Sequence, residues 1–326
     1  MADVRVSVLL PTHNRADVLP FAIQSILYQT FGDFEVLVAG DGCTDDTERV
    51  VLSFPDPRIR WFNLPKAPGL GYANRNVALR QARGDLVAYL EHDDIWMPDH
   101  LARMVAAFSD PAIEFVYSRG LAVGLDGVAM PYWFNLESRD HFDLLRRWQM
   151  MIAMSSVVHR RSSLIRAGYW DESLTSAGDM ALWRTLTQSG DNFVFLREPT
   201  TLRCVADWRR AGERTRNRIF RWIDRATRPP APFIPSALRF DLAGAASEQA
   251  AIWRRLRAAP QRECDAVRRA VLQLQDSLLW VQRGPSLRRG VSLLLGRLAD
   301  PMVRPTRRQT SRSHPREMPG RDLPER

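Results

Sequence analysis

The sequence predicts an α/β fold: a Rossmann-like half domain on a parallel sheet, followed by an all-α segment. Three observations carry that expectation. In the first 200 residues, short apolar runs rich in β-branched residues alternate with helix-length stretches, the order that parallel strands with right-handed crossovers require. After about Thr201 such runs disappear. Charge changes at the same place: residues 1–200 hold 19 basic against 25 acidic side chains, net −6, and residues 201–326 hold 27 against 12, net +15.

The elements follow in order. "VRVSVLL" reads as the first strand, and "ADVLPFAIQSILYQ" as a helix with Leu19, Ile23, Ile26 and Leu27 on one face. "FEVLVA" is a second strand, followed by a helix for which Thr44 or Asp45 is the expected cap. "IRWFNL" is a third strand, "YANRNVALRQAR" a helix stopped by Gly84, and "DLVAYL" a fourth strand without alternation, as in a buried parallel sheet. Pro98 suits the first turn of the helix "DHLARMVAAF". "EFVYSRGLAVGLDGVAM" predicts a hairpin about Asp126 and Gly127, and "SSVVHRRSSLIRAGYWDESL" with "GDMALWRTLTQSG" gives a strand and two helices.

The run from Arg228 to Pro235, "RPPAPFIP", interrupts any helix. Beyond it "EQAAIWRRLRAA", "ECDAVRRAVLQLQDSLLWVQR" and "SLRRGVSLLLGRLAD" read as amphipathic helices, and the last 23 residues lack the apolar content to fold. The expected organisation is therefore a catalytic unit over 1–205, a helical extension over 206–303 and a disordered basic tail over 304–326. Hydrophobic residues make up 45% of the chain, ample for a core, yet no apolar run approaches the roughly 20 residues that span a bilayer. The N-terminus is not expected to be a signal peptide, and three scattered cysteines fit a reducing, cytoplasmic compartment better than a disulfide framework or a zinc site. Arginine is used throughout, with Lys66 the single lysine, so arginine richness alone does not mark a nucleic-acid surface.

Chemistry is suggested where "LEHDDIW" places Glu91, His92, Asp93 and Asp94 at the carboxyl end of the fourth strand, the edge at which open α/β sheets bind ligands. Three stretches in order then resemble the family 2 glycosyltransferases: "VSVLLPTHNRADVLPFAIQSILYQTFGDFEVLVAGDGCTDDT", "GLGYANRNVALRQARGDLVAYLEHDDIWMPDHL" and "GYWDESLTSAGDMALWRTL". The resemblance covers roughly residues 4 to 195 and leaves out the helical third. It implies a GT-A fold and inverting, metal-dependent transfer of a sugar from a UDP- or dTDP-type nucleotide-diphospho-sugar to a hydroxyl. The acceptor would belong to a polysaccharide, a glycolipid or a glycosylated metabolite.

By that resemblance Asp41 hydrogen-bonds the base, and Pro11, Thr12 and Asn14 wrap the nucleotide. Arg75 reaches the diphosphate, as guanidinium forks suit phosphate oxygens. Glu91 stands where the first acid of the DXD motif contacts ribose or metal, and Asp93 is the metal-ligating acid. Mg²⁺ or Mn²⁺ fits, since hard cations take one or two carboxylates plus phosphate oxygens. His92 points away from the metal and is grouped with the nucleotide-binding positions. Asp179 matches the catalytic base, for which one carboxylate suffices in an inverting transfer. Read locally, Asp41 also fits a turn, Arg75 a solvated helix arginine, and Asp179 an N-cap. Gly40, Glu91 and Gly178 depart from the family pattern, which commonly has acids at 40 and 178 and aspartate at 91. Trp96 and Trp183 are expected to pack in the core.

Other readings remain in view. A zinc set of His92, Asp93 and His100 has no motif behind it. A sugar-phosphate nucleotidylyltransferase would need a glycine- and arginine-rich loop that "LPTHNRADVLP" does not provide. A non-catalytic nucleotide-sugar-binding or partner-docking protein could keep the fold, and "GLGYAN" lacks the third glycine of a dinucleotide fingerprint. The segment "SLRRGVSLLLGRLAD" suits peripheral contact with anionic lipid at the inner face of a membrane, or equally packing and dimerisation.

Overall fold

The computed structural model describes residues 4–124, 126–132, 134–148, 152–204 and 234–282. Most of the proline-rich interruption, the third amphipathic helix, the basic tail and both expected domain limits lie outside them.

Four strands form the parallel half: β1 (Val6–Thr12), β2 (Phe34–Asp41), β3 (Ile59–Leu64) and β4 (Leu86–Tyr89), in the order β3-β2-β1-β4. The crossovers carry α1 (Leu19–Leu27), α2 (Thr47–Leu52) and α3 (Tyr72–Leu79). Because side chains alternate across a strand, β1 sends Val6, Val8 and Leu10 into one apolar layer and Leu9 into the other, and β2 divides Val36 and Val38 from Leu37 and Ala39 in the same way. Both faces are thus covered, which explains the unbroken apolar runs of these strands.

Three helix boundaries differ from the sequence reading; one is that the helix after Pro98 begins only at His100, with Asp99 as its cap, so Pro98 lies before its first turn. Helix α2 begins at Thr47, because the Asp45 carboxylate accepts from the Thr47 backbone N–H (3.0 Å) and holds a turn ahead of the helix. Helix α3 ends at Leu79, well before Gly84. Gln81 and Ala82 bond carbonyls three residues back, tightening the chain out of α-geometry.

The second half comprises β5 (Asp94–Trp96), α4 (His100–Ala106), β6 (Phe115–Val123), β7 (Ala129–Pro131), α5 (Arg139–Arg146), β8 (Val157–Arg160), α6 (Arg161–Ala167), α7 (Gly178–Leu186) and β9 (Phe193–Cys204). The sheet continues from β4 through β8, β6 and β9 to β5, with β7 paired to β6 in the expected hairpin. Strand β8 is antiparallel to both neighbours, β9 parallel to β6, and β5 antiparallel to β9. The GT-A expectation of a mixed sheet flanked by helices is met. Strands β5 and β9 are absent from the sequence reading. Three residues give β5 no period to detect, and "REP" (Arg197–Pro199) interrupts β9 where its register against β6 shifts.

Two described helices follow, α8 (Glu248–Ala258) and α9 (Pro260–Gln282). Their Ile252, Trp253, Leu256, Val267 and Val271 share one buried cluster with Ile95, Leu121, Val123 and Leu202 of the sheet. Among the described residues no helix is long and apolar enough to cross a membrane.

At the end of the sheet away from the strands' carboxyl termini, buried Glu35 of β2 accepts from Ser7 Oγ (2.8 Å), Arg83 N (2.7 Å), Arg83 Nε (2.9 Å) and Arg60 Nη1 (3.0 Å). Burial alone would raise its pKa, but these donors overcome it and hold the carboxyl below its ordinary 4.5. A lowered folded-state pKa contributes stability that is in place above the unfolded value and drains as pH falls through the folded one. Glu35→Gln is therefore expected to flatten the acid limb of the stability profile below pH 4.5, read from urea midpoints as a function of pH; an unchanged limb would show that the node contributes nothing.

Candidate active site

The carboxyl ends of β1, β2 and β4 form one rim. At the end of β2 the Asp41 carboxylate is tied by Lys66 Nζ (2.6 Å), Ala67 N (2.8 Å) and Asn74 Nδ2 (2.7 Å). Lys66 also donates to Ala67 O (2.7 Å), so the chain's single lysine closes the loop between β3 and α3 around Asp41. A carboxylate has about four lone-pair sites, and Asp41 is oriented by these donors before any ligand arrives. His13 approaches the Asp41 carbonyl with Nδ1 (2.7 Å).

The β1 residues act mainly as a frame. Asn14 takes a positive φ of 50° and its Oδ1 accepts from Thr44 N (2.7 Å), bracing the loop after β1 against the loop after β2. Pro11 offers its carbonyl to His92 Nδ1 (3.3 Å), which turns the His92 ring toward β1. Desolvation keeps His92 below its usual pKa and so neutral near pH 7. The Thr12 hydroxyl is buried without a hydrogen-bond partner.

Beyond β4, the chain turns through Glu91–Asp93 and enters β5 at Asp94, which the sequence reading left in a loop. One carboxylate oxygen from each of Glu91, Asp93 and Asp94 lies within 4.8 Å of the others. Ser155 Oγ accepts from Glu91 N (3.0 Å) and donates to Asp94 Oδ2 (2.6 Å), while Asp94 Oδ1 is buried with no partner. Burial first, then the charges of Asp93 and Glu91, push Asp94 well above the usual carboxylate range. The counter-charge is Arg203 of β9, whose cross-strand partner is Asp94 and whose Nη2 lies 3.2 Å from Glu91 Oε2. Burial pulls the Arg203 pKa down, but the surrounding acids, Glu91 foremost, more than reverse this and hold it above its ordinary value.

Asp179 lies in the first turn of α7, one residue inside the helix rather than at its cap, which is Ala177. The residue is partly buried, and its pKa is raised by desolvation and then by the charge of Glu91, against the pull of Arg75 and Arg203. Arg75 lies over Trp170 (4.8 Å) and Tyr72 (5.2 Å), with Nη1 3.1 Å from Met154 Sδ and a buried Nε without partner. The Tyr72 hydroxyl accepts from Gly178 N (2.9 Å), which fixes where α7 starts.

Glu91, Asp93, Arg75 and Asp179 are thus drawn together, with Asp41, Pro11, Thr12, Asn14 and His92 on the adjoining strand ends. His100 is not: buried, it stacks on Trp96 and hydrogen-bonds Thr200 (2.7 Å), so the zinc set does not assemble. Trp96 and Trp183 are fully buried, as expected of packing residues. Sequence reasoning named Asp94 without giving it a role, and missed Arg203, Tyr72, Ser155, Lys66 and Gln249, whose Nε2 donates to the Asp93 carbonyl (3.0 Å). Only Lys66 carried a signal, its being the single lysine. Two departures acquire a steric cause. A Cβ on Gly40 would lie 2.2 Å from the Trp61 ring, and one on Gly178 would lie 2.6 Å from the Tyr72 ring.

Residues 7–165 match the model of the family described as Glycosyl transferase family 2. Among curated proteins, the chain is 36% identical over 117 residues to the Escherichia coli UDP-Glc:alpha-D-GlcNAc-diphosphoundecaprenol beta-1,3-glucosyltransferase WfgD, covering 36% of this chain and 46% of that one. It is 41% identical over 95 residues to the Campylobacter jejuni GalNAc(5)-diNAcBac-PP-undecaprenol beta-1,3-glucosyltransferase, covering 28% and 30%. The chain therefore spans less than half the length of these relatives. Among solved structures, S. aureus TarS 1-349 in complex with UDP-GlcNAc superposes with a TM-score of 0.51 at 23% identity, covering 61% of this chain and 58% of that one, and shows the shared fold.

The Arg203–Glu91 pair is expected to hold the acids together. Arg203→Met should cost about 3 kcal/mol, the lower end for breaking a buried pair, because 22% of the Glu91 side chain stays exposed. Urea unfolding of the variant against the parent checks this: a variant as stable as the parent would remove Arg203 from the account.

Proposed function

Because the chain belongs to glycosyl transferase family 2 through its residues 7–165, we propose that it is a cation-assisted, inverting glycosyltransferase moving a sugar from a UDP- or dTDP-type donor to a hydroxyl. The observation that carries this is the convergence of two kinds of carboxylate at one rim. Glu91, Asp93 and Asp94 are clustered with an unpartnered oxygen, and Asp179 beside them has a raised pKa. WfgD is named for UDP-Glc and a diphosphoundecaprenol-linked acceptor, and TarS was solved with UDP-GlcNAc. These names support a UDP-sugar donor and an acceptor sugar carried on a lipid diphosphate.

The all-oxygen donor set suits Mg²⁺ or Mn²⁺, with Asp93 the principal ligand and Glu91 and Asp94 beside it. When bound, such an ion supplies positive charge to the departing nucleoside diphosphate. The chain's own groups do the rest. Asp41, held by Lys66 and Asn74, accepts from the base. Arg75, stacked on Trp170, meets the diphosphate. The acceptor oxygen forms its bond to the anomeric carbon as the bond to the diphosphate breaks; the acceptor proton passes to Asp179 and the electron pair leaves with the diphosphate. Placing Asp179 where burial and Glu91 raise its pKa makes it a stronger base than an ordinary aspartate, better able to hold the proton it takes.

Transfer from a UDP-sugar panel with Mn²⁺, followed by UDP release, tests this. Asp179→Asn should lose about 10²–10⁴-fold in turnover, the usual share of a general base, while still binding UDP; Asp93→Asn should lose the Mn²⁺ stimulation. The acid limb of the parent's rate profile should lie above 3.8, the ordinary aspartate value. Full turnover by Asp179→Asn would end the assignment.

A further inference from the structure

Strand β5 closes the sheet order, so among the described residues one side of it has no strand to pair with. Its outward backbone groups must find donors and acceptors elsewhere, because buried main-chain polar groups are rarely left unpaired. Three side chains bond the main chain there, one at Trp96 within the strand and two at the residues that flank it, Met97 and Asp93. Ser25 Oγ of α1 accepts from Trp96 N (3.3 Å), Gln29 Nε2 donates to Met97 O (2.8 Å), and Gln249 Nε2 donates to Asp93 O (3.0 Å). The first two belong to the first βα unit. Gln249 is fully buried, lies 156 residues from Asp93, and stands on the first turn of α8.

Each acid of the cluster is tethered through its backbone to a different element. Glu91 N is held by Ser155, just before β8. Asp94 is held by its ladder pairing with Arg203 on β9. Asp93 is held by Gln249. Acidic groups this close tend to spread the turn, so the tethers set where the carboxyl groups point. The Asp93 carbonyl shares a residue with the proposed principal ligand, and rotating that peptide swings its side chain.

From this geometry we infer that α8 and α9 are a positioning element for the cation-binding turn, and that Gln249 is the residue that fixes Asp93. The inference rests on the proposed function, which supplies the cation. The surrounding packing is built to hold Gln249 in place. Ser247 caps α8 by accepting from Ala250 N (3.1 Å), and Ile252 and Leu256 seat the helix in the shared core. Farther along the same segment, Arg268 of α9 donates to Asp99 Oδ1 (2.6 Å) in a largely buried pair, so the helices grip residues 93 to 99 at both ends.

Mn²⁺ affinity in the presence of UDP, measured on the full chain from the electron paramagnetic resonance signal of free Mn²⁺, tests the idea. Gln249→Met keeps the length and packing but removes the donor; its Mn²⁺ affinity should fall about 10- to 100-fold, the usual loss when a partner of a metal ligand is removed. Ser247→Ala is the comparator: it weakens the same helix, lowering the melting temperature, and should bind Mn²⁺ within about twofold of the parent. If Gln249→Met does not fold, Gln249→Asn, with its amide drawn back by one methylene, is judged by the same criterion. Parent-like Mn²⁺ binding by the Gln249 variant, or an equal loss in Ser247→Ala, overturns the positioning role alone. A parent chain that takes up no Mn²⁺ overturns the cation reading as well, so the two failures are told apart.

Discussion

The site is organised around mutual repulsion among Glu91, Asp93 and Asp94. Two unit charges 4.8 Å apart repel by about 3 kcal/mol at the effective dielectric of a partly buried site, and three such pairs would exceed what a short turn can bear. The chain relieves this in two ways. Asp94, the most deeply buried, is pushed toward its neutral form, and Glu91 is matched by the Arg203 guanidinium. The second depends on β5 lying antiparallel to β9, since that register brings Arg203 to the acids; the first comes from burial and the neighbouring charges, against the pull of Arg203. A three-residue strand with no other apparent purpose thus carries the electrostatic balance of the rim.

The opposite wall of the rim is aromatic. Tyr72 stacks on Trp170 at 5.3 Å, Arg75 lies over both, and the Tyr72 hydroxyl receives the amide that begins α7. Position 178 must be glycine because the Tyr72 ring occupies the space of a Cβ, as Trp61 does at position 40. The two places where the family pattern would carry an acid are therefore filled by rings. Asp41 and Asp179 are left as the single carboxylates of their motifs, and Asp41 is bound into a donor cage whose cation is Lys66.

The parallel half of the fold was legible because β1, β2 and β4 are buried on both faces and write that burial as continuous apolar runs. The rim acids were legible because strand-end loops collect polar residues. What could not be read depends on distant pairing. Nothing near Arg203 marks it as a partner of Asp94, and a register shift at Arg197–Pro199 conceals the strand that joins them. Gln249 reads as an ordinary helix residue, and nothing in its neighbourhood in the sequence shows that it reaches the Asp93 carbonyl. Helix ends strayed for a local reason: side-chain turns such as that of Asp45 compete with the helix for the same N–H groups.

Composition pointed to a break near residue 200, yet α8 and α9 do not behave as a separate body. Their apolar faces complete a cluster whose other half is Ile95, Leu121, Val123 and Leu202, so neither side buries that surface alone. Such contact is tolerant, because apolar side chains of similar volume can replace one another at small cost. The edge of β5 is not tolerant. The backbone groups of the strand and of the residues flanking it need donors and acceptors at fixed points, and Ser25 of α1, Gln29 just beyond α1 and Gln249 of α8 meet that need from places far apart in sequence. Apolar burial explains why the helices stay on the sheet; the unpaired strand edge explains why they sit in one place upon it, against the turn that bears the acids.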